Sequence, residues 1–405
     1  MLLGAAACSG DDDDASEPAD AAEQPQGEPI KVMSIGEFDS PSTGFSDPYS
    51  EAGLTARVEA INASGGIGGR PVELSVCNAA GDVNAAARCA RDAVEQDVAA
   101  ITHLFVQPQS EVEVFPILEA AGIPVIGSAV LGSESGTSPI SFAFALPLGA
   151  AFALPGVAAA AGATKVSVIE PGDSPFPEEI SEVIVSQGAE HAGIESAGVV
   201  RTTPGATDLA PFVSSAVDDD VDAVLVNLTG DALASAIRLL KDRGFEGEIV
   251  TVGLTEGVRD ALGDDAEGVL TVGVTSGPTA DTEGAAMFAE DMEALDTDVQ
   301  LNETALLAWM DMWTFERVAG ELEVVEASTV LEGLNNLTDF DMGGIIPPIT
   351  TTEPGTIDDY FEVPGFPPPT RLFNKSVTYK VIEDGTEQWL DDKFHNPYTS
   401  EDVPA

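Results

Sequence analysis

The sequence predicts an α/β fold of two doubly wound, parallel-sheet lobes. Three observations carry that expectation. From residue 30 onward, short apolar runs alternate with amphipathic segments. The alternation passes through two successive series, the second starting near residue 165. At 405 residues the chain is too long for one ordinary core and comfortable for two.

In the first series, residues 30–35 read as a strand, and 36–48 as a loop rich in Ser, Pro, Asp and Gly. Leu54, Val58 and Ile61 then share one helical face. Gly65 and Gly66 stop that helix, because glycine accepts the left-handed backbone of a helix end. Val72, Leu74 and Val76 alternate with Glu73 and Ser75, the pattern of an edge strand with one polar face. Asp82 caps the next helix, whose inner stripe is Ala86, Cys89, Ala90, Ala93 and Val94. A strand over 98–106, a helix over 110–121, a strand over 123–127 and an apolar run over 140–146 follow. An Ala-rich helix over 150–161 leads into the second series. That series runs strand 165–169, helix 177–187, strand 194–200, helix 209–217, strand 223–228, helix 232–243 and strand 248–252. Ala223-Val224-Leu225-Val226 is apolar on both faces, as a central parallel strand must be. Helices near 282–295, 303–319 and 327–337, then a strand over 376–383, close the chain. In such sheets ligands sit beyond the carboxyl ends of the strands, so the loops after each strand are where a site is sought.

Composition and motifs exclude several functions. Sixteen Lys+Arg face 70 Asp+Glu, a net charge of -54. That surface repels phosphates and anionic headgroups, so no nucleic-acid partner is expected. A hydrophobic share of 44% marks a globular chain rather than a disordered one. His103, His191 and His395 fit no HExxH or CxxC arrangement, so neither a metal nor a cofactor is expected. There is no GxSxG elbow, no P-loop and no GxGxxG after the first strand. With 70 carboxylates, two acids close in sequence carry no acid–base information. The chain is therefore expected not to be an enzyme. Trp309 and Trp313, at helical spacing, read as core rather than as a ligand platform.

Residues 1–8, ending Gly4-Ala5-Ala6-Ala7-Cys8, read as part of a secretion signal and resemble a bacterial lipobox. The resemblance implies lipid on Cys8 and membrane attachment through it, with 9–29 as a disordered acidic tether. The basic start and most of the apolar region of a signal are missing, which points to a translation start further upstream. Cys77 ends a strand and Cys89 lies on the inner face of the next helix, within bridging reach of each other. The two readings are a disulfide, favoured in an oxidising compartment, and two buried thiols.

The stretch Ile61-Asn62-Ala63-Ser64-Gly65-Gly66-Ile67-Gly68-Gly69-Arg70-Pro71-Val72-Glu73-Leu74 closely resembles the branched-chain amino acid binding proteins, type I periplasmic solute-binding proteins of ABC importers. Pro41-Ser42-Thr43-Gly44, residues 120–126, 227–232 and 267–269 extend the resemblance over everything after Pro29. Gly343-Gly344-Ile345-Ile346-Pro347-Pro348 and Arg371-Leu372-Phe373-Asn374 resemble its actinobacterial lipoprotein branch.

This resemblance implies three hinge crossovers, near residues 148, 274 and 340. Lobe 1 would then be 30–148 and 274–340, and lobe 2 would be 149–273 and 341–405. It implies ligand contacts from Phe45, Tyr49, Gln107, Gln109, Ser110, Ser128, Ala129 and Val130 on lobe 1, and from Phe176, Asn227, Thr229 and Glu256 on lobe 2. Glu256 falls where such binders place the acid that holds a ligand ammonium. Ser174-Pro175-Phe176 stands where they often have Tyr-Gly, and Val130-Leu131 where a hydroxyl would help grip a carboxylate, so the pocket should be more apolar. The implied function is an extracytoplasmic, lipid-anchored monomer that captures an amino acid or amide-like small molecule for an ABC permease. A ligand-sensing receptor with the same clamp is the runner-up, and a secreted hydrolase the reading from a different class.

Two readings of the acidity stay open: solubility, or a saline habitat in which counterions screen self-repulsion. Unfolding midpoints in low and in molar salt separate them. A midpoint that climbs with salt supports the saline reading, and one that does not leaves solubility.

Overall fold

The computed structural model describes residues 25–40, 45–145, 147–172, 178–217, 220–353, 355–356, 369–398 and 401–403. β1 (Ile30–Gly36) leads through an antiparallel pair, β2 (Asp39–Ser40) and β3 (Phe45–Ser46), into α1 (Pro48–Ala63). There follow β4 (Val72–Asn78), α2 (Val83–Gln96), β5 (Ile101–Phe105), α3 (Pro108–Ala121), β6 (Val125–Ser128), α4 (Ser133–Thr137) and β7 (Ser141–Phe142). The first sheet is parallel, in the order β4-β1-β5-β6-β7.

The second sheet is reached through α5 (Pro147–Ala160). It is built from β8 (Lys165–Glu170), α6 (Glu178–Ala192), β9 (Glu195–Arg201), α7 (Ala210–Ala216), β10 (Ala223–Val226), α8 (Gly230–Asp242), β11 (Glu248–Thr251), α9 (Glu256–Leu262) and β12 (Leu270–Gly273). α10 (Glu283–Ala294), α11 (Glu303–Gly320) and α12 (Ala327–Asn335) then return to the first sheet. β13 (Val377–Glu383), β14 (Thr386–Asn396) and β15 (Glu401–Val403) finish in the second. Its order is β15-β14-β13-β12-β11-β10-β8-β9, with β8 to β12 parallel and the last three strands antiparallel.

Both sheets are covered on both faces, and the two-residue period of a strand decides which side chain serves which face. Ile30 and Val32 join Leu54, Ile61, Phe288 and Trp309 under α1, α10 and α11. Met33 and Ile35 join Cys89, Ala90 and Phe115 under α2 and α3. In the second sheet Val224 and Val226 face α7, α8 and α9, while Ala223 and Leu225 face α5 and α6. β10 is buried throughout, as the apolar run 223–226 requires, and β4 is the edge strand its alternation predicts. Trp309 is wholly buried and its Nε1 donates to Asp291 at 2.7 Å, so it is core. Arg57, on α1, bonds Asp291 and Glu316 and ties α1 to α10 and α11.

The conspicuous 61–74 stretch proves to be an architectural joint. Asn62 donates from Nδ2 to the Val72 carbonyl at 2.9 Å and accepts from its N–H at 2.8 Å, which clamps the end of α1 to the start of β4. Gly65 and Gly66, at φ 99 and 72, turn the chain between them.

Several elements depart from the sequence reading. Val94 is 41% exposed instead of lying on the inner stripe of α2. β12, β14, β15 and α9 are additional elements. The return to the second sheet, expected near residue 340, comes later in the chain. Met342, Ile345, Ile346 and Ile349 pack in the first sheet's core, Leu372 bridges to Ala143 beside β7, and the second sheet is rejoined at Val377.

Cys77 and Cys89 are joined in a disulfide, with their Cα atoms 5.8 Å apart. It pins α2 to the edge strand β4, which has a hydrogen-bonded neighbour on one side only. Replacing both cysteines by serine should cost up to ~3 kcal/mol by the entropy of closing so short a loop. Calorimetry should show this as a melting temperature several degrees lower, and an unchanged melting curve would refute it.

Candidate functional site

In a doubly wound sheet the crevice for a ligand opens where successive connections leave for opposite faces. In the first sheet the chain runs from β1 through α1 to β4 on one side, and then returns through α2 to β5 on the other. The switch point therefore lies between the carboxyl ends of β1 and β5. In the second sheet, β8 runs through α6 to β9 and returns through α7 to β10, which puts the switch point between β8 and β10.

Glu37 and Gln107 flank the first switch point. Gln107 is the N-cap of α3, and its Nε2 donates to Glu37 Oε2 at 3.4 Å. Glu37 is buried at 4% exposure, and its N–H continues the ladder to the Phe105 carbonyl. Gln109 is exposed at the second position of α3, and Ala129 is half-buried after β6. Three expected contacts turn inward. Ser110 is buried, Ser128 shares a hydrogen bond of 2.7 Å with Ser141, and Val130 is fully buried. Tyr49 is half-buried against the α1 core, and the backbone of Phe45 pairs with Ser40. Pro41-Ser42-Thr43-Gly44 lies outside the described residues.

Asn227 and Thr229 flank the second switch point and are exposed, with Thr229 the N-cap of α8. Glu256 opens α9, after Thr255 as its N-cap. Phe176 and Cys8 lie outside the described residues. Glu37, which flanks the first switch point, is not among the contacts expected from the sequence. Its only signal there was an acid directly after the first strand.

The strand ends are set from behind. β5 carries one extra residue against β1, a bulge, and His103 within it has φ 68. Ser34 Oγ donates to the His103 carbonyl at 2.9 Å, and His103 Nδ1 lies 3.0 Å from Asp311 Oδ2 on α11. Gly127 on β6, at φ 73, admits Asp311, because a Cβ there would run into its carboxylate. Burial pushes the Asp311 carboxyl up to about 6, against the opposing pull of His103. The loop after β6 is held by Glu111 on α3, which accepts from the N–H groups of Gly132 and Ser135 at 3.0 Å and from Ser135 Oγ at 2.8 Å.

Among the described residues the chain crosses between the sheets three times, and the crossings are laced together. They leave from the carboxyl ends of β7 and β12 and enter β13 beside Gly273, so both sheets present their crevices on the crossing side. Glu303 Oε1, at the start of α11, accepts from Val274 N at 3.0 Å, Thr275 N at 2.9 Å and Thr275 Oγ1 at 2.6 Å. Thr378 Oγ1 donates to the Thr275 carbonyl at 2.7 Å, and Asn374 Nδ2 to the Phe144 carbonyl at 2.9 Å. Lys380, 3% exposed, sits 3.8 Å from Glu303 and 3.9 Å from Glu387.

A cavity of about 190 Å³ lined by Phe152, His191, Tyr379 and His395 lies between α5, α6 and the β13–β14 hairpin, and none of the expected ligand residues lines it. Among the described residues no group of His, Cys, Asp and Glu could hold a metal ion, and no helix is long and apolar enough to cross a membrane.

The comparisons agree with this architecture. A model of the family described as periplasmic binding protein matches residues 29–359. No curated protein matches the chain in sequence. An ABC transporter substrate-binding protein from Sphaerobacter thermophilus superposes with TM-score 0.71 at 18% identity, over 92% of this chain and 99% of that one. A solute-binding protein from R. palustris, in complex with 4-hydroxybenzoate, gives 0.68 at 18% identity over 92% and 98%. A branched-chain amino acid substrate-binding protein from Streptococcus pneumoniae, in complex with isoleucine, gives 0.65 at 15% over 89% and 98%.

The buried Asp311 makes stability depend on pH in a defined direction. A carboxyl whose pKa rises on folding, here from 3.8 to about 6, stabilises the fold fully below the lower value and loses that contribution as pH climbs through the upper one. The stability of the wild type minus that of Asp311→Asn should fall between about pH 4 and pH 6 and level off above. Urea titrations at several pH values measure the difference, and a flat profile would contradict it.

Proposed function

The chain belongs to the periplasmic binding protein family, and on that footing we propose that it captures a small organic solute between the two switch-point crevices and delivers it to an ABC permease. The observation that carries the reading is the pairing of these crevices across one laced set of crossings. Hinge movement about those crossings lets one solute touch both sheets, and solute shifts the balance toward the closed form because only that form contacts it from both sides. Membership in the family implies an extracytoplasmic location, and lipid on Cys8 would hold the chain at the membrane. The solute-binding character of the solved neighbours supports a role in binding rather than in catalysis.

An amino acid or amide-like solute is the proposed cargo. Gln107, Gln109 and Ala129 on the first sheet, and Asn227, Thr229 and Glu256 on the second, are the proposed contacts. Phe45, Tyr49 and Phe176 would supply apolar walls. Ser110, Ser128 and Val130, being buried, would shape the loops that make contact.

A thermal-shift screen of amino acids, amides, short peptides and small carboxylates tests the reading. A cognate solute should raise the melting temperature in proportion to the logarithm of its excess over Kd, because it binds the native state alone. Glu256→Ala should remove the shift for amino acids. A shift that survives the substitution would take the ammonium role from Glu256, and silence across the library would leave solute capture unsupported.

A further inference from the structure

Among the described residues, one carboxylate at the first crevice has no adequate partner. Glu37 is 4% exposed at the β1/β5 switch point. Its Oε2 meets only the neutral Gln107 amide, at a long 3.4 Å. Its Oε1 has no hydrogen-bond partner among the described residues. Among the described residues no Lys, Arg or His forms an ion pair with Glu37. Glu170, the acid that ends β8 in the second sheet, differs, because Arg201 Nε faces its Oε1 at 2.5 Å.

A carboxylate withdrawn from water without a counter-charge is costly, and an acidic chain of net charge -54 raises that cost. Native structures satisfy such groups almost always, and an exception in a ligand crevice points to a partner arriving from outside. We propose that Glu37 seats a protonated amine of the solute, so that the cargo of this protein is an amine-bearing molecule. The inference rests on the solute capture proposed above and narrows it to a chemical class. The long Gln107 contact steadies the carboxylate without neutralising it, and the acidic chain draws a cation toward the crevice.

Four probes on the full chain test this by thermal shift and titration calorimetry. They are isoleucine, 2-methylbutylamine (which lacks the carboxylate), 3-methylpentanoate (which lacks the amine) and nitrogen-free 4-hydroxybenzoate. The amines should bind, and Glu37→Gln should weaken them roughly thirtyfold or more. Nitrogen-free probes that bind where amines do not, or amine binding untouched by Glu37→Gln, would overturn the proposal while leaving solute capture standing. Loss of amine binding with Glu256→Gln while Glu37→Gln leaves it intact would overturn it in the same way, whereas loss with either substitution fits two carboxylates gripping one ammonium. If no probe binds, solute capture itself loses its support, and the ligand-free protein decides the role of Glu37. Glu37→Gln keeps the shape and removes a buried, unpaired charge, so the variant should melt at or above the wild-type temperature. A melting temperature several degrees lower would make Glu37 a structural group and overturn the assignment.

Discussion

The geometry of this protein hangs on the Glu303 carboxylate and the groups it gathers. Backbone N–H groups of Val274 and Thr275, the Thr275 hydroxyl and the Lys380 ammonium all converge on one acid at the start of α11. A crossing segment otherwise offers its N–H groups to water, and accepting them on a charged group of the other sheet's layer makes the passage part of the core. Lys380 completes the arrangement. It is one of 16 basic residues against 70 acids, and the fold buries it between Glu303 and Glu387 instead of leaving it to screen the surface. Thr378, two residues before Lys380, bonds the connection again, so two of the crossings are fixed to each other as well as to the sheets.

Behind the crevices the same logic recurs. The bulge at His103, the Asp311 carboxylate and the space left by Gly127 form one unit in which no part is free to change alone. This unit shifts the register of β5 just before its carboxyl end, where Phe105 and Gln107 enter the site. Glu111 similarly determines where the loop after β6 can lie. The loops that would meet a solute are thus positioned by buried polar contacts with fixed geometry.

Much of the fold was legible because parallel strands and amphipathic helices write different periods into a sequence. The central run 223–226 and the edge strand at 72–76 are examples in which burial on two faces or one shows directly in the residues. β12 escaped because Leu-Thr-Val-Gly is too short to display a period, and β14 because its charged residues look like a solvated tail. Met342, Ile345, Ile346, Ile349 and Leu372 lie with the first sheet rather than the second because their place depends on long-range packing and on bridges such as Phe340 to Ile349 and Ala143 to Leu372, which leave no local pattern. At the site, the loops after the strands were located, but not the direction of their side chains. Ser128 and Val130 read as ligand contacts and are buried, and Glu37 was one acid among 70 until its burial beside Gln107, with Oε1 unpartnered among the described residues, became visible.

The strand orders place the crossings by β7, at the edge of the first sheet, and by β12, inside the second, and put each crevice two and a half strands away from them. At roughly 4.8 Å between strands that is a lever of about 12 Å on either side. Under the proposed hinge movement about the laced crossings, equal levers would carry each crevice by about 0.2 Å for every degree of turn at that radius. The edge strands β4 and β9 lie further out and would travel further. In that movement the reach of each crevice from the crossings would follow from the number of strands between them.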